Sequence, residues 1–502
     1  RQGASNVTIR NIITSMRLIS DVDWSDLFEE VSLVDARLST DGSFALMDFA
    51  TRNLYRSAIE DLARGSALSE LDIAGEAVKA AQAAPVAGDT ASQAQRIGDT
   101  GYHLIAEGRP DFERTVGFRP PRRRMAGRLA ARTGIVGYVG AIGLVTAMLL
   151  ALALWLLSIA GLSAPGMVVF AILALLPASD IATALVNRFV SWSHGATGLP
   201  GLELAQGVPP SSRTLVVVPT LLSNRADLLE QIERLEVHHL SGAGGDLSFA
   251  LLTDGRDAPQ ETVEGDDALL ALAVEAMADL NRRHGPGPAG DRFLLLHRKR
   301  RFNAGENVWM GWERKRGKLH ELNRLLRGAT DTSFMAVAGK PPVVPPDVRY
   351  VITLDADTKL PRDTVLRLIG KMAHPLNRPR FDAGKQRVVD GYAIIQPRVT
   401  PSLPIGREGS LYQRVFSAPG GMNPYAAAVS DVYQDLFGEG SYTGKGIYDV
   451  DAFEAALAGR IPENTLLSHD LFEGTVARAG LASDVEVVDD FPARYDVAAR
   501  RQ

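Results

Sequence analysis

The stretch TLVVV, residues 214–218, decides how this sequence is interpreted, because five aliphatic or β-branched residues are followed at once by Pro219. A short apolar run that ends at a turn residue is typical of a strand buried on both faces of a sheet. Three similar runs follow it in the chain, at 247–253 (LSFALLT), 292–296 (RFLLL) and 350–354 (YVITL).

Helical patterns at 227–240 and 268–283 separate the first three of these runs. This alternation predicts an α/β domain over residues 213–502, with an open, largely parallel sheet and helices on both faces. Such sheets bind ligands outside the carboxyl ends of their strands. The polar residues that follow the strands are therefore the first candidates for chemistry.

Length and composition limit the function classes. At about 150 residues per domain, 502 residues suggest about three domains, and 46% hydrophobic with 23% charged residues is a globular composition. The net charge of −5 gives no reason to expect a nucleic-acid partner. The absence of cysteine excludes disulfides, thiolate metal sites and cysteine nucleophiles.

A run of 47 residues, 133–179, contains no charged side chain. As one helix it would be about 70 Å long, against about 30 Å of hydrocarbon in a bilayer. We therefore predict two transmembrane helices, at about 135–160 and 166–186, joined by the turn GLSAP at 161–165. The alternative is a buried helical pair in a large soluble protein.

Arginines flank this hairpin on both sides, which places both flanks in the cytoplasm by the positive-inside rule; they are Arg119, Arg122, Arg123, Arg124, Arg128, Arg132 and Arg188. Asp180 lies within the second predicted span. It either marks a functional carboxylate that faces protein or water, or pairs near the interface with Arg188.

The remaining segments complete the predicted domain organisation. Residues 1–118 have helical spacing and no catalytic constellation, so we interpret them as a helical docking or regulatory domain in the cytoplasm. Residues 119–188 are the basic flank and the two transmembrane helices. Residues 189–212, which contain Gly, Pro and Ser, are predicted to be a linker.

Two motifs follow predicted strands. The stretch LDADT places Asp355 and Asp357 directly after the strand YVIT. Two carboxylates at a strand end can bind Mg²⁺ or Mn²⁺ and leave positions for substrate phosphates; the alternative is a solvated turn with capping aspartates. Asp254 follows another strand, where it can accept hydrogen bonds from a ligand or simply form an Asp-Gly turn.

Three further motifs lie outside the strand ends. GKLHELN, residues 317–323, follows three basic residues and suits a polyphosphate, or is a solvated basic helix start. Asp470 begins a predicted helix as either a general base or an N-cap. GSYTGKG, residues 440–446, has the wrong spacing for a P-loop. We interpret it as a mobile loop that lines an acceptor channel with Tyr442 and Lys445.

In this order, the motifs resemble those of processive, inverting, membrane-bound glycosyltransferases of the GT-A fold. Gln502 resembles the first residue of the Gln-x-x-Arg-Trp motif, and His469-Asp470 stands where Glu-Asp is usual. The closer resemblance is to cyclic β-1,2-glucan synthases. It is carried by SMRLISDVDWSDLFEEVSLVD (15–35), PASDIATALVNR (177–188), RTLVVVPTLLSN (213–224), NVWMGWERKRGKLHELNRLLRG (307–328), YVITLDADTKLPRD (350–363), YTGKGIYDVDAF (442–453) and LLSHDLFEG (466–474).

The resemblance implies a Rossmann-like mixed sheet of GT-A type and transfer of glucose from UDP-glucose to a β-1,2-glucan on a protein-attached primer. It implies a multi-pass protein of the bacterial inner membrane. It also implies that this chain is a fragment, and that further membrane helices and a large carbohydrate-active region belong to the same polypeptide.

The resemblance also assigns roles to single residues. Asp254 would contact the uridine, Lys318 would lie near the uracil or phosphates, and Gln502 would open a helix that contacts the diphosphate. Asp355 would lie near the nucleotide and the metal, Asp357 would be a metal ligand and Asp470 would be the general base.

Two other functions remain open from the sequence. One is a related synthase with another donor or linkage, such as a chitin- or hyaluronan-type enzyme. The other is a membrane scaffold that binds a nucleotide-sugar without turnover.

Overall fold

The structure, a computed structural model, describes residues 24–83, 91–194, 197–242, 244–402, 409–416, 431–464, 469–492 and 494–497. The predicted diphosphate-contacting residue Gln502 lies outside these ranges. The chain separates into two compact units, Arg1–Pro120 and Pro121–Gln502.

The first unit is helical throughout its described residues. The Tyr55 hydroxyl is buried there and donates to Asp99 Oδ1 at 2.6 Å. Asp99 Oδ1 also accepts the N–H of Gly101 at 2.8 Å and caps the helix that follows. The helices are α1 (Trp24–Val31), α2 (Leu33–Leu38), α3 (Phe49–Arg64), α4 (Glu70–Gln82), α5 (Ala91–Ile97), α6 (Thr100–Leu104) and α7 (Arg109–Thr115).

The second unit begins with a hairpin of two long helices, α8 (Arg122–Ile159) and α9 (Ala164–His194). Gly134, with φ +60° and ψ −155°, interrupts the regular geometry of α8. The apolar part of α8 is Thr133–Ile159. This segment and Ala164–Ser193 are long and apolar enough to cross a membrane, as the sequence predicts. The helix α9 continues six residues into the predicted linker, because residues 189–194 (FVSWSH) contain no helix breaker.

The rest of the second unit is an α/β domain. Its helices are α10 (Arg225–Leu240), α11 (Asp266–His284), α12 (Arg314–Leu326), α13 (Thr364–Ala373), α14 (Leu411–Phe416), α15 (Val432–Phe437), α16 (Val450–Leu457) and α17 (Asp470–Ala477). Its strands are β1 (Thr214–Leu222), β2 (Leu247–Gly255), β3 (Phe293–Arg298), β4 (Arg301–Asn303), β5 (Val308–Met310), β6 (Tyr350–Thr353), β7 (Thr358–Lys359), β8 (Arg380–Asp382), β9 (Arg387–Asp390), β10 (Ile394–Pro401), β11 (Gly446–Asp449) and β12 (Ala479–Asp489).

Eight of these strands form one sheet, in the order β3-β2-β1-β6-β11-β10-β12-β7. The four neighbours β3, β2, β1 and β6 are parallel, and β10 is parallel to β12, whereas the other three pairs are antiparallel. The α/β prediction is confirmed. The sheet is mixed rather than largely parallel, because β11 enters it in the opposite direction.

Both faces of the sheet are covered, as the apolar runs predict. Val216 and Val218 of β1 face a core that includes apolar residues of α10, α11 and α13. Leu215 and Val217 face the opposite core, which includes residues of α12, α16 and α17. All four side chains are at most 4% exposed, so alternate residues of one strand supply both cores.

The strand β1 extends past Pro219, where the sequence predicts its end. β1 pairs with β2 along its whole length, up to Leu222. It pairs with β6 only over Thr214–Val217. At Pro219 the edge of β1 that faces β6 is therefore unpaired. A proline, which has no N–H to donate, is tolerated in a sheet at such an unpaired edge.

The carboxyl ends of β2, β3 and β6 lie at one edge of this sheet, because the three strands and β1 are parallel. The antiparallel strand β11 begins at the same edge, where Gly446 pairs with Thr353. The glycine-rich segment 440–445 consequently arrives beside Asp355. This topology brings residues about 90 positions apart in the sequence into one site.

His238 of α10 makes the fold sensitive to acid. Its side chain is 3% exposed, and its Nδ1 makes no hydrogen bond with the described residues. Burial, with a smaller contribution from the charge of Arg234, lowers the pKa of His238 to about 4. Between pH 6.5 and 4 the unfolded chain therefore binds more protons than the folded chain, and stability falls as the pH falls.

Between pH 7 and pH 5 the unaltered protein loses free energy of unfolding as His238 resists protonation in the folded state. We expect this loss to be about 2 kcal/mol smaller in His238→Leu. Urea unfolding in detergent at both pH values measures this difference. His320→Leu, at a histidine with 41% of its side chain exposed, is the control. An unchanged pH dependence in the His238 variant would contradict the assignment.

Candidate active site

Asp254, at the end of β2, lies in a sealed ion-pair network. Its two carboxylate oxygens accept hydrogen bonds from the Arg298 guanidinium at 2.7 and 2.9 Å, and Lys318 Nζ lies 3.0 Å from Oδ2. The three side chains are at most 4% exposed. Strand pairing explains the first contact, because Asp254 of β2 is in register with Arg298 of β3.

Arg298 also binds the start of α12. It donates to the carbonyl oxygens of Trp312 and Arg314, each at 3.1 Å, and to Glu321 Oε2 at 3.0 Å. Glu321 accepts further hydrogen bonds from the Ser333 backbone N–H, at 2.8 Å, and from the Ser333 hydroxyl. Arg298 therefore fixes the turn in front of α12 against the sheet.

Lys318 is directed toward three protein oxygens. Besides its contact with Asp254, its Nζ donates to the carbonyl oxygens of Thr220, at 2.8 Å, and Leu252, at 3.3 Å. Burial lowers the pKa of Lys318 to about 8, although the Asp254 carboxylate acts in the opposite direction. Burial alone would raise the pKa of Asp254, but Lys318 and Arg298 outweigh it and hold that pKa below the usual value.

The predicted nucleotide contacts of Asp254 and Lys318 therefore stay predictions. In this arrangement the two side chains are satisfied by each other and by neighbouring protein groups. The sequence analysis missed Arg298, which closes the network. Its position in the sequence could have indicated it, because Arg298 follows the apolar run of β3 just as Asp254 follows the apolar run of β2.

Asp355, just after β6, is bound by two lysines from different parts of the chain. Its Oδ1 lies 2.5 Å from Lys315 Nζ of α12, and its Oδ2 lies 3.0 Å from Lys445 Nζ. Burial alone would raise the pKa of Asp355, but the two ammonium groups outweigh it and lower that pKa. With 37% of its side chain exposed, Asp355 is accessible to a ligand.

Lys445 also forms an ion pair with Asp489, near the end of β12. Asp489 Oδ1 accepts the hydroxyl of Thr358 at 2.8 Å, and Thr358 lies opposite Asp489 in the β7–β12 pairing. Burial would lower the pKa of Lys445, but the Asp355 and Asp489 carboxylates raise it above the usual value. The sequence analysis missed Asp489, because only the sheet pairing brings it to this edge.

Carboxylates at this edge offer ligands for a cation, but among the described residues the one group of three whose ligand atoms lie within 4.8 Å of one another is His469, Asp470 and Glu473. Asp355, Asp357 and Asp489 offer oxygen ligands of the kind that Mg²⁺ and Mn²⁺ prefer. Both Asp355 oxygens already face lysines. These aspartates therefore leave too few free oxygens to complete the coordination of a cation with protein ligands alone. They suit the common arrangement of one or two carboxylates plus phosphate oxygens, with Asp357 half-buried in the turn.

Asp470, the first residue of α17, lies against Gly444. A Cβ atom added to Gly444 would lie 2.9 Å and 3.0 Å from the two Asp470 carboxylate oxygens, and Gly444 has φ +85°. The carbonyl oxygen of Gly444 accepts a hydrogen bond from Lys315 Nζ at 2.8 Å. Since Lys315 also binds Asp355, this lysine links the predicted donor-binding carboxylate to the glycine that adjoins the predicted general base.

His469, the residue before α17, and Glu473 of α17 lie close to Asp470. His469 Nδ1 lies 2.8 Å from Glu473 Oε1 but 3.7 Å from Asp470 Oδ1, which is too long for a hydrogen bond. Burial raises the pKa of Glu473, although His469 acts in the opposite direction. Among the described residues this is the one trio whose potential metal-ligand atoms lie within 4.8 Å of one another.

Tyr442 and Lys445, predicted to line an acceptor channel, differ in their surroundings. Tyr442 is 2% exposed, and Gly474 of α17 lies against its Cβ. Burial, with the nearby Glu473 and Asp470 carboxylates, raises the pKa of Tyr442. The Tyr442 ring therefore supports the loop from inside. Lys445 is also buried, at 7% exposure, and its ammonium group is paired with Asp355 and Asp489.

We expect Arg298→Met to lower the free energy of unfolding by about 3–5 kcal/mol, because the buried carboxylates of Asp254 and Glu321 lose the guanidinium that they share. Arg301→Met is the matched control. Arg301 has 43% of its side chain exposed and lies 3.6 Å from Glu321, so its loss should cost less than about 1 kcal/mol. Urea unfolding of both variants tests this, and equal effects would contradict the role of Arg298.

Comparison with known proteins identifies a relative along the whole chain. No protein-family model matches the chain. Over all 502 residues the chain is 43% identical to the cyclic beta-(1,2)-glucan synthase NdvB of Rhizobium meliloti (strain 1021), and it spans 18% of that relative's length. The resemblance seen in the motifs is therefore confirmed, and the chain corresponds along its whole length to one part of a cyclic β-1,2-glucan synthase.

Proposed function

We propose that this chain is the glucosyl-transferring part of a membrane-bound β-1,2-glucan synthase, with a GT-A fold, UDP-glucose as donor and inversion at the anomeric carbon. The observation that carries the proposal is the meeting of Asp355, its two lysines and Asp470 at Gly444. In this proposal a site for a departing diphosphate lies beside a carboxylate that can accept a proton.

The donor side of the site is the cluster of Lys315, Lys445 and Asp355. The two ammonium groups attract the negative charge that develops on a leaving diphosphate. Asp357, with Asp355, would hold Mg²⁺ or Mn²⁺, which supplies further neutralisation of that charge when bound. The location agrees with the rule that α/β sheets bind ligands outside the carboxyl ends of parallel strands.

The acceptor side of the site is Asp470. An acceptor hydroxyl has a pKa far above 7 and must lose its proton as it attacks the anomeric carbon. Among the described residues, Asp470 adjoins Gly444 and forms no ion pair with a lysine or arginine, so it can take this proton as general base. One displacement then inverts the α-linked donor to a β product without a second carboxylate nucleophile.

The helix α15 connects this site to the membrane hairpin. The rings of Tyr433 and Phe437 lie 6.0 and 6.4 Å from that of Tyr138 in α8. On its other side, Gln434 donates to the Leu481 carbonyl of β12 at 2.9 Å, and Asp431 accepts the N–H of Ser441 at 3.0 Å. The glycine-rich loop is thereby held next to the helices, which suits a glucan that remains close to the bilayer.

We expect Asp470→Asn to reduce UDP release and glucan synthesis by about 100-fold or more, because an amide cannot accept the acceptor proton. The measurement is UDP release from UDP-glucose, with Mg²⁺ or Mn²⁺, in membranes that contain the chain within a full-length synthase. UDP affinity should change less than about threefold. Asp451→Asn, at a carboxylate with 75% exposure, is the control. An unchanged rate in Asp470→Asn would refute the general-base assignment.

We expect Asp357→Ala to raise the metal concentration needed for half-maximal UDP release by about 10-fold or more, since one oxygen ligand is lost. A metal titration of the same membranes measures it, and linkage analysis of the product identifies the bond formed. No metal dependence in the unaltered protein would contradict the metal role. Binding of UDP-glucose without UDP release would support the scaffold function.

A further inference from the structure

A cavity of about 240 Å³ adjoins α17 at Glu473. It is bounded by the first turns of α12, by α16, by the segment 458–463 and by Glu473 of α17. The catalytic role proposed above does not use it. The polar and aromatic residues that matter for its chemistry are Trp312, Arg316, His320, Glu454, Glu463 and Glu473.

Aromatic surface forms one part of this cavity. The Trp312 and His320 rings lie 6.1 Å apart and are tilted by 54°, and the Arg316 guanidinium carbon lies 5.9 Å from the Trp312 ring centre. Leu319 and Phe453 add apolar surface. Rings and aliphatic side chains bury the C–H faces of a sugar, while its hydroxyl groups stay available for hydrogen bonds.

Fixed carboxylates form the other part. Glu454 accepts a hydrogen bond from Asn323 at 2.7 Å, and its other oxygen lies 2.9 Å from His320 Nδ1. Glu473 is held by His469 at 2.8 Å. Each carboxylate offers about four lone-pair sites, so these contacts leave acceptor capacity for hydroxyl groups. Glu463 is exposed at the rim.

The charge and the volume of the cavity limit the class of ligand that it can bind. Three carboxylates against one guanidinium, which is itself paired with Glu313 at 2.8 Å, disfavour an anion such as a diphosphate. The volume lies below the roughly 300–1,000 Å³ of typical small-molecule pockets. A neutral polyhydroxylated ligand of one or two rings meets both conditions.

The cavity is also positioned for the reaction. Glu473 follows Asp470 by three residues on α17, which is about 4.5 Å along the helix axis and close to the same face. A ligand in the cavity would therefore lie one helical turn from the general base. Gly444 adjoins the Asp470 carboxylate, and Lys315 links Gly444 to Asp355 of the donor cluster.

We infer that this cavity is a sugar-binding subsite that holds the non-reducing part of the acceptor glucan beside Asp470. The inference rests on the proposed function for its role in the reaction. The lining by itself indicates a neutral polyhydroxylated ligand, and the proposed function makes that ligand a β-glucan.

The test is the dissociation constant of sophorose, the β-1,2-linked glucose disaccharide, for the full-length synthase in detergent, measured by saturation-transfer NMR. We expect Trp312→Leu to weaken binding by about 10-fold and Glu463→Ala by about 3- to 10-fold. Trp192→Leu, at a tryptophan of α9 that is 62% exposed, should leave it unchanged. UDP affinity should stay constant in all three variants, which also shows that they are folded.

The outcomes separate this inference from the proposed function. Absence of sophorose binding in the unaltered protein, or equal binding in the Trp312, Glu463 and Trp192 variants, overturns the subsite. If the unaltered protein binds sophorose and the two cavity variants do not, the subsite is supported. If, in addition, no UDP-glucose is turned over, only the proposed transferase activity fails.

Discussion

The meeting of Lys315 and Lys445 on Asp355 is the interaction on which the arrangement of the site depends. It joins the end of β6, the first turn of α12 and the loop before β11, which lie far apart in the sequence. Lys315 also fixes the carbonyl of Gly444, and Gly444 in turn leaves room for the Asp470 carboxylate. These contacts, together with the packing of Tyr442 on Gly474 of α17, hold the predicted base beside the predicted donor site.

The domain contains two clusters of similar composition with different exposure. In the cluster of Asp254, Arg298 and Lys318, every charged side chain is at most 4% exposed and has protein partners. In the cluster around Asp355, 37% of the aspartate side chain is exposed. A buried, fully paired network holds the fold in one conformation, because removing one partner is costly. A half-exposed cluster can exchange its partners for a ligand.

Much of this architecture can be predicted from the sequence. The strands 214–218, 247–253 and 350–354 are visible as apolar runs because both faces of each are buried, and the helical hairpin is visible because 47 residues lack a charge. The sequence also indicates Asp355 and Asp470, which follow or precede recognisable elements. It does not reveal Arg298 or Asp489, since their roles come from strand pairing over long sequence distances. Likewise, the continuation of β1 past Pro219 depends on which edge of the strand β6 covers.

The central claim is that donor and base meet at Gly444, and an experimental structure of the full synthase with UDP and Mn²⁺ tests it most directly. Anomalous scattering would locate the Mn²⁺. The account predicts Mn²⁺ at Asp357, the diphosphate next to Lys315 and Lys445, and Asp470 free of metal on the other side of Gly444. Mn²⁺ bound by His469, Asp470 and Glu473, or a diphosphate away from both lysines, would contradict it.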